Sequence, residues 1–254
     1  MKKILSLALA SVMCIGLASC GTGPKTEENS GKTYVIYSDN SFAPFEYLDS
    51  TTNTYVGVDM DILAAVAKDQ GFAYEIKNEG FDASMGAVQS GQADGMIAGM
   101  TITDERKKTF DFSDGYFQDG QILVVAKDSK VASEADLSGQ KVATKIGTMG
   151  TDYAESIKAE VGFETVNYED SPTMYTAIEN GTNAACFEDR SVVEWAIKNE
   201  NLNLKTVGEV INPKEYGFAV KKGENAELIK MFNDGLKNIK ASGEYDKILA
   251  KYGY

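Results

Sequence analysis

An α/β fold in two lobes is what this sequence predicts, on three observations. Short apolar strand candidates alternate with amphipathic helix candidates through residues 33–254, the pattern of βαβ units built on a parallel sheet. The alternation runs to about residue 100, is interrupted by the continuous apolar run Gln121 to Ala126, and then starts again. A faint internal repeat links the two halves. Ala87-Val88-Gln89-Ser90-Gly91 followed by Met96-Ile97-Ala98-Gly99 returns ninety residues on as Ala177-Ile178-Glu179-Asn180-Gly181 followed by Cys186-Phe187-Glu188-Asp189.

In chain order, Thr33 to Ser38 is rich in β-branched and aromatic residues and predicts a strand. Val58 to Gln70 carries Val58, Ile62, Leu63 and Val66 on one face and stops before Gly71, an amphipathic helix with its terminator. Phe72 to Ile76 then predicts a strand, Ala83 to Gln89 a helix and Asp94 to Ile97 a strand. In the second half the strands fall at Lys141 to Thr144, Phe163 to Val166 and Ala184 to Phe187. The helices between and after them fall at Thr151 to Ala159, Thr173 to Glu179 and Val192 to Lys198. Tyr216 to Val220 is a last strand before a long helix, Glu224 to Lys240, which Gly243 separates from a short final one.

The stretch Ala98-Gly99-Met100-Thr101-Ile102-Thr103-Asp104-Glu105-Arg106 predicts a strand end leading into a helix. Thr103 suits the N-cap, and Asp104 and Glu105 suit the positive end of the helix dipole. Arg106 in that first turn opposes the dipole and calls for an anion, and its planar fork grips a carboxylate through two parallel hydrogen bonds. Gly99 at the first strand end and Asp189 at the second occupy equivalent places in the repeat. Ligands of open parallel sheets bind beyond the carboxyl ends of the strands. Two lobes facing one another would set Arg106 and Asp189 across one cleft, a cation for a carboxylate and an anion for an ammonium. An α-amino acid carries both.

Composition narrows the class. The chain contains no histidine, which excludes Ser–His and Cys–His nucleophilic sites and histidine metal sites. Its net charge is −13, or −15 once Lys2 and Lys3 are removed, which argues against nucleic acid and against electrostatic adhesion to anionic lipid. Lys2 and Lys3, the apolar run Ile4 to Leu17 and the small residues Ala18 and Ser19 before Cys20 resemble a bacterial lipoprotein signal. On that pattern residues 1–19 are a signal peptide and Cys20 is the lipidated first residue of the mature chain. Residues 20–32, rich in Gly, Thr, Glu and Asn, form a flexible tether. Cys186 is then left without a cysteine partner and is expected in the core.

Phe42-Ala43-Pro44-Phe45-Glu46, Val56-Gly57-Val58-Asp59-Met60-Asp61, Ile102-Thr103-Asp104-Glu105-Arg106, Phe110-Asp111-Phe112-Ser113, Gly147-Thr148 and Tyr216-Gly217 follow one another in order. Through these motifs the chain from Thr33 to Tyr254 resembles the bacterial extracellular solute-binding proteins of the polar amino-acid ABC transporter family. The resemblance implies a two-lobed periplasmic-binding-protein fold of type II. Lobe 1 would be residues 33–115 and 217–254, lobe 2 residues 121–211, and the hinges 116–120 and 212–216. Arg106 and Thr101 would hold the ligand carboxylate, with Thr148 and the backbone of Met149. Asp189 and the Gly99 carbonyl would take the ammonium, Phe42 and Phe81 would stack on the aliphatic stem, and Asp39, Lys145 and Glu188 would surround the side-chain end. Met149 stands where many members have a second Ser or Thr.

Each role has a structural rival: Asp189 could cap the following helix, Phe42 and Phe81 could be core, and Asp39 could stabilise its own turn. Lys145 opposes a cationic ligand side chain and the acids oppose an anionic one, so a neutral side chain with donors and acceptors fits, glutamine first. Asparagine, cystine and arginine stay open. The resemblance implies an extracytoplasmic, lipid-anchored monomer with no cofactor and no metal, whose partners are an amino acid, an ABC permease and its ATPase. No Gly-rich phosphate loop ending in Gly-Lys-Ser/Thr is present for ATP hydrolysis. The rival functions are an enzyme on the same scaffold, like the cyclohexadienyl dehydratases, with Glu188 or Lys145 as proton donor, and an amino-acid sensor.

Overall fold

The computed structural model describes residues 31–254; the expected signal peptide, Cys20 and the tether up to residue 30 lie outside the described residues. The last tether residue, Lys32, already belongs to the fold, where its ammonium lies 2.9 Å from Asp94.

In the first lobe, β1 (Thr33–Asp39) is followed by a small antiparallel meander of β2 (Ser41–Phe42), β3 (Glu46–Asp49) and β4 (Thr54–Val56). Then come α1 (Val58–Gln70), β5 (Ala73–Glu79), α2 (Phe81–Ser90), β6 (Gly95–Met96) and β7 (Phe110–Phe112). The chain passes to the second lobe through β8 (Phe117–Ala126), which is followed by β9 (Lys141–Lys145), α3 (Met149–Val161), β10 (Glu164–Tyr168), α4 (Ser171–Glu179), β11 (Ala185–Asp189) and α5 (Arg190–Asn199). It returns along β12 (Leu204–Tyr216) to β13 (Ala219–Lys221), α6 (Ala226–Ala241) and α7 (Glu244–Lys251).

Two five-stranded sheets result, ordered β5-β1-β6-β13-β7 and β10-β9-β11-β8-β12. They are mixed rather than wholly parallel. The βαβ pattern holds for β5, β1 and β6 and again for β10, β9 and β11, whereas β13 and β8 run antiparallel to their neighbours. The reason is topological. β8 and β13 are the strands that follow the two crossings, so each enters its sheet at the end where the parallel strands finish. The crossings lie side by side, with Phe117 opposite Tyr216 and Gln118 opposite Glu215 at the start of the β8–β12 ribbon.

The uninterrupted apolar run Ile122 to Ala126 in β8 follows from burial on both faces. Ile122 and Val124 pack with Met174, Ile178, Cys186 and Val193, while Leu123 and Val125 pack with Leu137, Val142, Phe163 and Phe187. Cys186 is fully buried, as expected of a small core residue. The first sheet is covered by α1 and α6 on one side, where Ile62, Leu63, Val66, Phe218 and Phe232 meet, and by α2 on the other, where Phe81, Val88, Met96 and Phe110 meet.

The helix expected after Thr103 does not form. Arg106–Lys108 makes one 3₁₀ turn and the chain enters β7 at Phe110, whose alternation with Phe112 claims it for the sheet. Thr103 still performs the local task of a cap, its Oγ1 accepting from Arg106 N at 3.0 Å. Without a helix there is no macrodipole for Arg106 to oppose, and the call for an anion must come from its surroundings.

Candidate functional site

The carboxyl ends of β1, β6, β9 and β11 converge on one cavity holding about 260 Å³ of empty space. Asp39, Lys145 and Asp189 are the last residues of β1, β9 and β11, and Gly99 stands just beyond β6. Phe42, Phe81, Ala98, Thr101, Arg106, Thr148 and Met149 complete the wall. Arg106 and Asp189, expected across one cleft, line the same space.

Arg106 is held by backbone. Nη1 donates to the Thr101 carbonyl at 2.8 Å, and Nη2 donates to the Gly147 carbonyl of the other lobe at 3.0 Å. The guanidinium lies 5.4 Å from the centre of the Phe81 ring. Burial lowers its pKa, opposed by the charges of Asp152 and Asp189, and it stays a cation. Facing it is the N-terminus of α3, a helix of 13 residues with Thr148 as N-cap and Met149 in its first turn. First-turn amides of a helix present hydrogen-bond donors and a partial positive charge. Gly150 lets α3 sit close on β11: a Cβ there would lie 2.1 Å from the Phe187 carbonyl oxygen. This half of the cavity suits an anion.

The opposing acid is Asp189. It begins α5 without capping it; Asp119 of β8 does so, its Oδ2 accepting from Ser191 N at 3.1 Å and from the Ser191 hydroxyl. That releases Asp189 to the cavity, where its Oδ1 accepts from the Gln121 amide and its Oδ2 from the Tyr216 hydroxyl at 2.6 Å. Burial, then the charges of Asp119 and Glu188, push the Asp189 carboxyl up to about 8. Beside it Gly99 adopts φ +52°, and a Cβ there would meet the Phe42 ring at 2.6 Å. Glycine is required on both counts.

At the far end, Lys145 and Asp39 pair across the lobes at 2.5 Å, with side chains 2% and 1% exposed. Burial alone would lower the Lys145 pKa, but Asp39 and then Glu188 outweigh it and the net shift is upward. Its ammonium also lies 4.8 Å from the centre of the Phe42 ring. Phe42 and Phe81 are therefore buried and cavity-lining at once. Glu188 differs from expectation. It is not on the cavity wall, because the Ser171 and Tyr175 hydroxyls and the Asp189 amide draw it into the second lobe, at 2.9, 3.0 and 2.9 Å.

Sequence reasoning assigned no role to Gln121 and Tyr216, which orient Asp189, or to Asp119, which caps α5 in its place. Tyr216 lay in a quoted motif, but nothing local marks its hydroxyl for a carboxylate 27 residues away. A larger cleft, with about 1900 Å³ of empty space, lies elsewhere, by Tyr47, Trp195 and Tyr254. Its rim cations Arg190 and Lys251 are exposed and paired with Glu194 and Asp61, so it does not set a buried guanidinium against a buried carboxylate.

Two α/β lobes closed on a site of this kind define a class of ligand-capturing proteins, and comparison with known proteins places the chain within it. Residues 34–254 match the family of bacterial extracellular solute-binding proteins, family 3, and the chain belongs to that family. A probable histidine-binding protein of Neisseria gonorrhoeae is 36% identical, the match covering 99% of this chain and 96% of the relative. The ABC transporter glutamine-binding protein GlnH of Bacillus subtilis is 35% identical over 99% of this chain and 97% of its own length. Among solved structures, an ancestral arginine-binding protein bound to arginine superposes with a TM-score of 0.81 at 36% identity, covering 89% of this chain and 99% of that one.

Proposed function

We propose that this chain is a lipid-anchored extracytoplasmic binding protein that captures a polar α-amino acid, glutamine first, and delivers it to an ABC permease by closing its two lobes. One observation carries the reading: the Arg106 guanidinium and the Asp189 carboxylate share one cavity between the lobes. Arg106, Thr101 and the amides at Thr148 and Met149 take the ligand carboxylate, while Asp189 and the Gly99 carbonyl take the ammonium. Phe42 and Phe81 flank the stem. Family membership and the relatives' names for binding histidine, glutamine and arginine support an amino-acid ligand and a transporter partner.

Glutamine is favoured by the Asp39–Lys145 pair at the side-chain end. The two charges compensate one another, so a cationic or anionic side chain would meet a like charge there, whereas an amide can donate to Asp39 and accept from Lys145. Hinges at 116–120 and 212–216, with lobe 1 at 33–115 and 217–254 and lobe 2 at 121–211, are part of this reading, supported by the pairing of Phe117 with Tyr216 where the chain passes between sheets. A ligand bridging both half-sites stabilises the closed form by its greater affinity for that form. A dehydratase-like enzyme would need Glu188 or Lys145 free to move a proton, and both are engaged, by two hydroxyls and by Asp39 respectively.

A thermal-shift screen of the twenty amino acids with cystine and ornithine tests the reading, since a ligand that binds only the native state raises its melting temperature. Glutamine should give the largest shift. A larger shift with arginine or histidine would overturn glutamine and keep the amino-acid reading; no shift with any would overturn both. Loss of acyl label and of membrane retention in Cys20→Ala tests the anchor.

A further inference from the structure

Behind the cavity, in the first lobe, two carboxyl groups meet with no cation between them. Glu46, the first residue of β3, and Asp59, in the first turn of α1, are both completely buried. Asp59 Oδ2 accepts from Gly99 N and from the Tyr116 hydroxyl, each at 2.8 Å. Among the described residues no donor is placed on Asp59 Oδ1 or on either oxygen of Glu46. The Asp59 amide donates to the Phe45 carbonyl at 3.0 Å, which sets the start of α1 against the chain at Glu46. Two ionised carboxylates cannot occupy such a place, because Glu46 would have surrendered its water for nothing and each repels the other. One proton resolves the conflict.

We propose that Glu46 and Asp59 hold a single proton between them, Glu46 donating its O–H to Asp59 Oδ1, and that this acid pair is the positioning element for the Gly99 peptide. Asp59 then receives three hydrogen bonds, from Glu46, Gly99 and Tyr116, and links the cavity wall to the first crossing. Tyr116 sits at that crossing, its N donating to the Tyr216 carbonyl at 2.9 Å and its carbonyl accepting from the Tyr245 hydroxyl.

The charged groups around the pair do not remove the need for the proton. Asp39 of β1 adds negative charge and pushes the Glu46 carboxyl further up, after burial and Asp59. Lys145 of β9 pulls it down but is paired with Asp39. Tyr116, and Tyr245 of α7, face Asp59 and have raised pKa values themselves, so both stay neutral. Burial holds Asp59 at about 6 and Glu46 well above its ordinary range, and the two titrate as a pair.

The shared proton is independent of what the cavity binds; its consequence for ligand capture rests on the amino-acid reading. Infrared spectroscopy of the protein without added ligand at pH 7 should show protonated-carboxyl C=O absorption of which one component, besides that of Asp189, is lost in Glu46→Gln. Because the folded pKa of Glu46 is raised, its stability is present at low pH and lost as pH rises. The melting temperature of wild type should therefore fall relative to Glu46→Gln, the gap widening from pH 5 to pH 9. Identical carboxyl C=O absorption in wild type and Glu46→Gln, or a gap constant with pH, overturns the shared proton. For positioning, the Gly99 amide should keep its hydrogen-exchange protection in Glu46→Gln, whose amide still donates, and lose it tenfold or more in Glu46→Met. Equal protection in both variants overturns that role. Failure of glutamine to bind alters none of these readouts, so the two proposals fail separately.

Discussion

Lys145 Nζ lies 2.5 Å from Asp39 Oδ2, and the two residues come from opposite lobes. This pair closes the far end of the cavity and costs water on both sides. Breaking such a pair leaves an uncompensated buried charge worth about 3 kcal/mol or more, while removing both partners is far cheaper. Lys145→Met and Asp39→Asn should each shift the protein towards an open form, seen as a larger radius of gyration in solution scattering. The double variant should recover most of the stability lost in either single one. Additive losses in a double-mutant cycle would show that the pair does not hold the lobes together.

Arg106→Ala should abolish amino-acid binding, because the ligand carboxylate would be buried without its cation. The loss is expected at about 3 kcal/mol or more, roughly a hundredfold in Kd. Calorimetry with the amino acid identified by thermal shift checks it, and unchanged affinity would remove Arg106 from the site.

Ligand capture should be linked to a proton at Asp189. Its carboxyl is raised to about 8 by burial and then by Asp119 and Glu188, and a bound ammonium would favour the ionised form. Binding below pH 8 therefore expels a proton, and affinity should rise by about tenfold per pH unit up to that value and then level off. Calorimetry in buffers of different ionisation enthalpy counts the protons released. An affinity flat between pH 6 and pH 8 would contradict the assignment.

Asp119→Asn keeps an acceptor for Ser191 while removing a negative charge near Asp189. The rise in affinity with pH should then level off at a lower pH than in wild type, with the fold retained. An unmoved profile would mean that Asp119 acts on α5 alone.

Gly99→Ala places a side chain at φ +52° and against the Phe42 ring. The left-handed conformation alone costs about 1 kcal/mol, and the contact must displace Phe42 into the cavity. Affinity should fall more than melting temperature does. A melting temperature lowered with affinity intact would place Gly99 outside the ligand's reach.

Much of the architecture was legible because it rests on local chemistry. The period of Val58, Ile62, Leu63 and Val66 is a helix whatever surrounds it, and the α1 that forms spans the predicted residues. The repeat that paired Gly99 with Asp189 identified two strand ends that do converge on one cavity. The meander β2 to β4 and the long β12 went unread: their strands are short or polar, and their pairing partners rather than their own periodicity make them strands. The helix at Thr103 was misread for the complementary reason, since good capping residues precede a segment that β13 claims as β7.

The sequence by itself determined the α/β class, the two-fold repetition of the lobes, the absence of histidine chemistry and the pairing of Arg106 with Asp189 on one cavity. Those are properties of neighbouring residues and of composition. The tertiary structure alone decided that Lys145 spends its charge on Asp39, 106 residues away, that Asp119 rather than Asp189 caps α5, and that Glu188 turns from the cavity to two hydroxyls. A buried charge takes whichever partner the packed chain brings within about 3 Å, and no local pattern encodes that choice.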